Sequence, residues 1–227
     1  MGDRLSGERV LVTSAGKYMG PAIVELFRNE GASVFASEEK LDQSAVDRLV
    51  LETGEIDVLI ANFALQSPPT AVQDLTDESW YSTFDALVHP LMRIVRAVVP
   101  QMLARKKGKI VAITSSAPLT GFPNGSAYAS ARAAQNTFIR SIGLELAPNN
   151  IQANAIAQGY IKSRTYFPDW YIEKTEFKQL LERNVPAKRM GEAWETAELA
   201  LFLASENSNF MVGQVLPFAG GAALSTG

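Results

Sequence analysis

The chain alternates between two hydrophobic periods. Short apolar, largely β-branched runs at Arg9 to Thr13, Ser33 to Ala36, Asp57 to Ala61, Lys109 to Thr114, Gln152 to Ile156 and Gln214 to Phe218 stand between polar and turn-forming residues, which predicts buried strands. Between them, apolar residues return at helical spacing. Pro21 to Glu30 has proline in its first turn and Gly31 just past its end, the expected punctuation of a helix. Asp42 to Thr53 reads as a polar-faced helix. Thr76 reads as the N-cap of a helix through Trp80 and Phe84, interrupted near Pro90 and resumed through Met92, Val95, Val99 and Met102. From about Ser126 the composition turns Ala-rich, with Tyr128, Ala131, Gln135, Phe138, Ile142 and Leu146 at helical spacing. Further helices at Thr175 to Asn184 and Glu195 to Leu203 flank Pro186. Strands alternating with helices predict an α/β fold, a Rossmann-like doubly wound parallel sheet with helices on both faces, in which Gln152 to Ile156 takes the sixth strand position. The 227 residues suit a single domain from 1 to 227 with a large core. No internal repeat or low-complexity linker divides them.

Composition narrows the chemistry. Net charge is −3, and the one basic block, Arg105 to Lys109, falls at a predicted helix end, where it meets the helix dipole favourably. Nucleic acid is therefore not an expected partner. The absence of cysteine excludes disulfides, zinc–thiolate sites and a cysteine nucleophile, and fits a reducing compartment. The single histidine, His89, stands beside Pro90 and is expected to pack at a helix junction, since a metal site needs several converging ligands. No run approaches a membrane span and the start MGDRLSGERV has no apolar leader core, so a soluble, unsecreted, cytoplasmic protein is expected.

Residues that carry chemistry gather between Lys109 and Leu146. Ser115 ends a predicted strand, and Tyr128 and Arg132 lie one turn apart on the next helix. A hydroxyl at a strand's C-terminal end, facing a phenol and a permanent cation, makes an acid/base site where open α/β sheets bind ligands. A Tyr and an Arg four apart also describe a stacked surface pair, so the pair alone does not decide. The first strand–helix turn adds a second clue. In a dinucleotide-binding fold this turn is glycine-rich, because a Cβ at its second glycine collides with the pyrophosphate at the helix N-terminus. Here it reads T-S-A-G-K-Y-M-G from Thr13 to Gly20, with a tyrosine ring in that space. Glu38 and Glu39 follow the second strand, where a ribose-binding carboxylate is sought, but neither marks a clear strand end. Gly20, Gly31 and Asn62 take structural readings: close packing, a helix stop and a strand-end turn.

The stretch around Ser115, Tyr128 and Arg132 resembles the active-site segment of the short-chain dehydrogenase/reductase superfamily, where a strand-end Ser is followed by a Tyr and, one helical turn on, a Lys. Arg132 stands at the lysine position. Against the superfamily turn T-G-x-x-x-G-x-G, Ser14 and Tyr18 replace the first two glycines and Gly20 is kept. With these exchanges the chain, from about Arg9 to Gly221, resembles the halohydrin dehalogenases, relatives of those reductases that have traded the dinucleotide for a halide site. The resemblance implies no cofactor and no metal. It implies a catalytic set of Ser115, Tyr128 and Arg132, and a halide wall of Tyr18 with Gln158, Gly159, Tyr160 and Ile161, from the segment AIAQGYI. Gln158 departs from the proline often found there. Tyr166 and Phe167 are expected to line the substrate pocket, although with Trp170 and Tyr171 they also read as an aromatic lid over core.

The activity so implied converts small vicinal haloalcohols to epoxides with release of a halide ion and a proton, and opens epoxides with azide, cyanide or nitrite in reverse. Tyr128 is the expected base. A tyrosine titrates near ~10, and each unit of depression takes about 1.4 kcal/mol of preference for the phenolate, which Arg132 supplies. Ser115 holds the substrate oxygen. The apolar residues Ala131, Ala134, Phe138 and Ile142, with the helix from Leu91 to Leu103, suggest a homo-oligomer, a dimer of dimers by resemblance. Two other readings stay open: an NAD(P)-dependent dehydrogenase that tolerates Tyr18, and a non-catalytic sensing module on the same fold.

Overall fold

The computed structural model describes residues 2–224. Six strands, β1 (Arg9–Thr13), β2 (Ser33–Ser37), β3 (Val58–Asn62), β4 (Gly108–Ser115), β5 (Ile151–Gln158) and β6 (Val215–Phe218), form one parallel sheet in the order β2-β1-β3-β4-β5-β6. Each predicted strand is present, its ends shifted by at most two residues, as is usual for element boundaries. The helices are α1 (Gly20–Asn29), α2 (Gln43–Thr53), α3 (Asp77–Arg105), α4 (Ala117–Thr120), α5 (Ser126–Leu146), α6 (Asp169–Ile172), α7 (Thr175–Asn184) and α8 (Ala193–Ala204). The usual dinucleotide-binding order has a further strand outside β2. Here α2 is the one element between β2 and β3, so β2 is an edge, and the strand expected in sixth position is the fifth.

Helices cover both faces, which is why β4 and β5 are buried at every residue. On one face Ile23 and Phe27 of α1 and Ala200 and Leu201 of α8 pack on Val12, Val111 and Ile156. On the other, Leu91, Ile94 and Val98 of α3 and Ile139 of α5 pack on Leu59, Ile110 and Ala153. Of the residues expected to form an outer contact face on α5, Ala131 and Ile142 belong to this inner core, and Ala134 and Phe138 are half-buried.

The break expected near Pro90 does not occur: α3 runs from Asp77 to Arg105 with Pro90 and Pro100 inside it. Thr76 caps it as expected, its Oγ1 accepting from the Ser79 N–H at 3.2 Å. A proline removes one helix hydrogen bond and crowds the carbonyl a turn back. Pro90 is buried beside Leu87, Leu91 and Ile94, and Gln135 Nε2 donates to the Leu87 carbonyl at 2.6 Å in the disturbed turn. Packing thus carries the helix past a residue at which propensity would end it. His89 is accordingly not at a junction. It lies mid-helix with Nδ1 2.7 Å from Asp85 Oδ1, and no metal-binding cluster of three His, Asp or Glu side chains occurs among the described residues.

The basic block meets the end of α3 as expected, with Arg105 in its last turn donating to the Gln101 carbonyl at 3.3 Å, and it is also tied into ion pairs and hydrogen bonds. Arg105 pairs with Asp57 at 2.6 Å, Lys107 with Glu8 at 2.7 Å, and Lys109 donates to Asn209 Oδ1 at 2.6 Å. Among the described residues no helix is long and apolar enough to cross a membrane.

Helix α5 approaches the β5–β6 edge at Gly143, where a Cβ would stand 2.5 Å from Gly213 Cα and 3.0 Å from the Ala153 carbonyl oxygen. Gly143→Ala is therefore expected to lower stability by about 1–3 kcal/mol despite the better helix propensity of alanine. The check is a lower urea midpoint with an unchanged slope.

Candidate active site

Strand β4 delivers Ser115 as its last residue, opposite Gln158 at the end of β5. Ser115 Oγ accepts from the Ala117 N–H at 3.1 Å, which orients the hydroxyl and leaves its hydrogen free to donate. Helix α5 begins at Ser126, so Tyr128 falls in its first turn and Arg132 in the next. The two side chains meet as their spacing predicts. Arg132 Nε donates to Tyr128 Oη at 3.1 Å, and the guanidinium carbon lies 5.2 Å from the tyrosine ring centroid.

Arg132 is wholly buried, and all five of its N–H groups have acceptors. Nη1 donates to the Ile113 carbonyl at 3.3 Å and to Gln135 Oε1 at 2.8 Å. Nη2 donates to the Phe63 carbonyl and to Tyr166 Oη, each at 2.9 Å. None of these acceptors is a carboxylate. Burial works against the charge, and the surrounding Tyr128, Tyr166 and Tyr18 more than offset it, so the Arg132 pKa stands above the usual arginine value. A buried cation whose partners are all neutral favours a negative charge beside it.

Tyr166, expected as pocket wall, also shares that cation. Its Oη accepts from Arg132 Nη2 and from the Leu65 N–H at 3.1 Å, so both lone pairs are engaged. Burial pushes the Tyr166 phenol up to about 12, with Arg132 pulling it down. Its ring lies edge-on to Tyr128, with centroids 6.0 Å apart, and to Tyr18, at 5.1 Å. Burial also raises the Tyr18 phenol well above its ordinary value. Nothing in the spacing announces the contact between Arg132 and Tyr166, which are 34 residues apart.

The first turn keeps a glycine backbone without two of its glycines. Ser14 and Tyr18 adopt φ of +46° and +55°, a region that costs a side-chain-bearing residue about 1–2 kcal/mol. Gly20 cannot be replaced in the same way, since its Cβ would meet the Ala15 carbonyl oxygen at 2.4 Å. Asn62 has the structural role expected of it, Nδ2 donating to the Ser14 and Lys17 carbonyls, each at 3.0 Å. Glu38 directly follows β2 and accepts from the Gly16 N–H. A turn N–H is thus engaged by a carboxylate of the same sign as a phosphate, and the Tyr18 ring crosses from the second glycine position to Tyr166. These residues do not fit a nicotinamide dinucleotide.

A cavity of about 690 Å³ opens at the strand ends. Tyr18, Ser115 and Tyr128 line it, as do the segment from Gln158 to Ile161 and the pair Tyr166 and Phe167. The remaining predicted residue, Arg132, lies buried behind Tyr128 and Tyr166. Within the segment the roles differ. Gln158 Oε1 accepts from Thr196 Oγ1 at 3.0 Å, which fixes the side chain at the cavity floor. The Gly159 N–H is already bonded to the Phe218 carbonyl at 3.0 Å, so its part is close approach: a Cβ there would stand 2.4 Å from Ser116 Oγ. Tyr160, at φ +54°, turns the chain and stacks on Phe167 with centroids 6.2 Å apart. Among the described residues no acceptor meets the backbone N–H of Tyr160 or Ile161. Phe122, Phe177 and Leu180 complete the outer wall and lie outside the predicted set. The Gly-Phe-Pro loop ahead of Tyr128 is the sequence signal for Phe122, while Phe177 and Leu180 lie on α7.

Residues 32–223 match the family described as enoyl-(acyl carrier protein) reductase. The 3-oxoacyl-[acyl-carrier-protein] reductase of Thermotoga maritima is 30% identical over 96% of this chain and 98% of its own length. The chain belongs to the short-chain dehydrogenase/reductase family. Among solved structures, a protein described as a dehalogenation enzyme superposes with a TM-score of 0.90 at 27% identity, covering 97% of this chain and 100% of its own. A halohydrin dehalogenase bound to ethyl (2S)-oxiran-2-ylacetate shares the fold with a TM-score of 0.89 at 23% identity, covering 97% and 99% of the two chains. This short-chain dehydrogenase/reductase thus joins the family's parallel sheet to a first turn that carries Tyr18 at its second glycine position.

Arg132→Lys keeps the charge but offers three donors where five acceptors wait. The variant is expected to lose about 2–5 kcal/mol of stability in urea unfolding, together with the ordered contact between Tyr128 and Tyr166.

Proposed function

We propose that this chain is a cofactor-independent dehalogenase that closes vicinal haloalcohols to epoxides and, in reverse, opens epoxides with small anions such as azide, cyanide or nitrite. The observation that carries this reading is Tyr18. Its ring occupies the second glycine position of the first turn and lies 5.1 Å from Tyr166, on the cavity that also holds Ser115 and Tyr128. An acid/base pair is kept while the space for a hydride carrier is filled.

The substrate supplies its own nucleophile, so proximity is built in. Its hydroxyl sits between Ser115 Oγ, which donates to the oxygen, and the Tyr128 phenolate, which takes the proton. The oxygen pair then attacks the adjacent carbon, the C–O bond forms as the carbon–halogen bond breaks, and the halide departs with its bonding electrons. The proton passes from Tyr128 to water. Arg132 Nε faces the phenolate oxygen, and the same guanidinium holds Tyr166, whose ring stands edge-on beside Tyr128. At the other end the Tyr18 ring edge, the Gln158 amide and the free N–H groups of Tyr160 and Ile161 offer partial positive charge. Partial charges hold a large, weakly hydrated anion without trapping the product as a full cation would.

The test is halide release from a small vicinal bromoalcohol by purified protein with no nucleotide present. Release is expected, with a loss of about a hundred- to ten-thousand-fold in kcat for Tyr128→Phe. The sequence relatives named as reductases favour a second reading, a nucleotide-dependent reductase. Saturable binding of NAD(H) or NADP(H) without halide release would establish that one instead.

Tyr166→Phe removes the acceptor of Arg132 Nη2 and of the Leu65 N–H but leaves the ring. With a donor of the buried guanidinium left unpaired beside Tyr128, kcat/KM for halide release is expected to fall about tenfold. An unchanged kcat/KM would leave Tyr166 a packing role alone.

A further inference from the structure

A polar pair crosses an otherwise apolar seam behind the cavity. Thr196, near the start of α8, is wholly buried on the face that sets Ala197, Ala200 and Leu201 against the sheet. A buried hydroxyl needs a partner, and in a helix it commonly takes the carbonyl one turn back. Thr196 Oγ1 instead donates to Gln158 Oε1 at 3.0 Å, its one side-chain hydrogen bond among the described residues.

Gln158 is held on both sides before this bond is made. It ends β5 with Ser115 of β4 and Phe218 of β6 as register partners, and its carbonyl accepts from the Ser116 N–H at 3.0 Å. With the backbone clamped, Thr196 decides which way the side-chain amide faces. An amide offers an acceptor oxygen on one side and a donor nitrogen on the other. The oxygen is turned to α8, so the nitrogen is turned away from it. Gln158 lines the cavity, and Nε2, which donates to no protein acceptor among the described residues, keeps access to that space.

Anions differ in how they use such a donor. A halide is spherical, and any converging set of ring edges and backbone N–H groups holds it. Nitrite carries lone pairs localised on its oxygens and accepts along fixed directions. An amide already locked in place therefore adds most to the second kind of anion, because nothing further has to be ordered on binding.

We propose that Thr196 is a positioning residue that holds the Gln158 amide as a directional donor at the anion end of the cavity, so that this site favours nucleophiles with directional lone pairs, such as nitrite, over halides. The proposal rests on the dehalogenase reading above. The experiment measures dissociation constants of nitrite and of bromide by calorimetry on the purified protein without epoxide. Thr196→Val keeps the shape and removes the hydroxyl, Thr196→Ser keeps the hydroxyl, and Gln158→Met removes the amide. Thr196→Val is expected to weaken nitrite about tenfold and bromide less than about threefold, the loss of one hydrogen bond to a charged partner. Thr196→Ser is expected to retain nitrite affinity, and Thr196→Val is expected to add nothing in the Gln158→Met background. Bromide serves as the control for a folded site. Nitrite affinity unchanged in Thr196→Val, weakened no more than bromide, or weakened again when Gln158 is already methionine overturns the positioning role and leaves the dehalogenase reading standing. A wild-type protein that binds neither anion and releases no halide overturns the dehalogenase reading itself.

Discussion

A cation buried without a carboxylate organises this site. Arg132 brings a permanent charge and five donors into a place with no water, and each donor left unpaired would cost about 1–3 kcal/mol. The acceptors come from the chain after β3 (Phe63), from β4 (Ile113), from α5 (Tyr128 and Gln135) and from the segment after β5 (Tyr166). One side chain therefore fixes how four parts of the sheet's C-terminal edge meet. Gln135 extends the arrangement into α3 through the Leu87 carbonyl, next to the proline that α3 must absorb. Lysine, a point charge with three donors, could serve a ribose and a phenol but not this set of acceptors.

The buried cation also sorts the tyrosines around it. Tyr166 has both lone pairs filled and is held protonated by burial, so it can only donate. Tyr128 accepts from Arg132 through a single hydrogen bond and stands on the cavity opposite Ser115. Tyr18 makes no hydrogen bond to the guanidinium among the described residues, packs against Tyr166 at 5.1 Å and lines the same cavity. The difference between the three phenols follows from burial, which holds Tyr166 and Tyr18 protonated, and from which oxygen stands free on the cavity.

What the sequence could reveal divides along this line. Strands and helices were legible because burial on both faces imposes continuous apolar runs and helical faces impose their own period, and Ser115, Tyr128 and Arg132 were legible because a strand end and one helical turn fix their relative positions. Pro90 misled because propensity is local, whereas Leu87, Leu91 and Ile94 hold its helix against the sheet. Tyr166 read only as wall, since its bond to Arg132 depends on how the loop after β5 returns over the sheet, and no periodicity encodes that path. The polar partners within Gln158 to Ile161 were hidden for the same reason. Which of those N–H groups is free is decided by β6, through the Phe218 carbonyl.

The first turn shows how such a site can arise on an old sheet. Ser14 and Tyr18 hold left-handed backbone, a conformation that favours glycine, at a cost in strain, and Asn62 ties the turn down from β3. Thr13 and Asn62 exchange further hydrogen bonds between the strand ends, Thr13 Oγ1 accepting from the Asn62 N–H at 2.9 Å. With the backbone held by these neighbours, a side chain could be added at position 18 without moving the sheet. The relatives named as reductases match nearly the whole chain, while the ring at position 18 stands in the turn where such a sheet takes a dinucleotide. Fold similarity measures the scaffold, and the chemistry rests on which side chains fill the space at its edge.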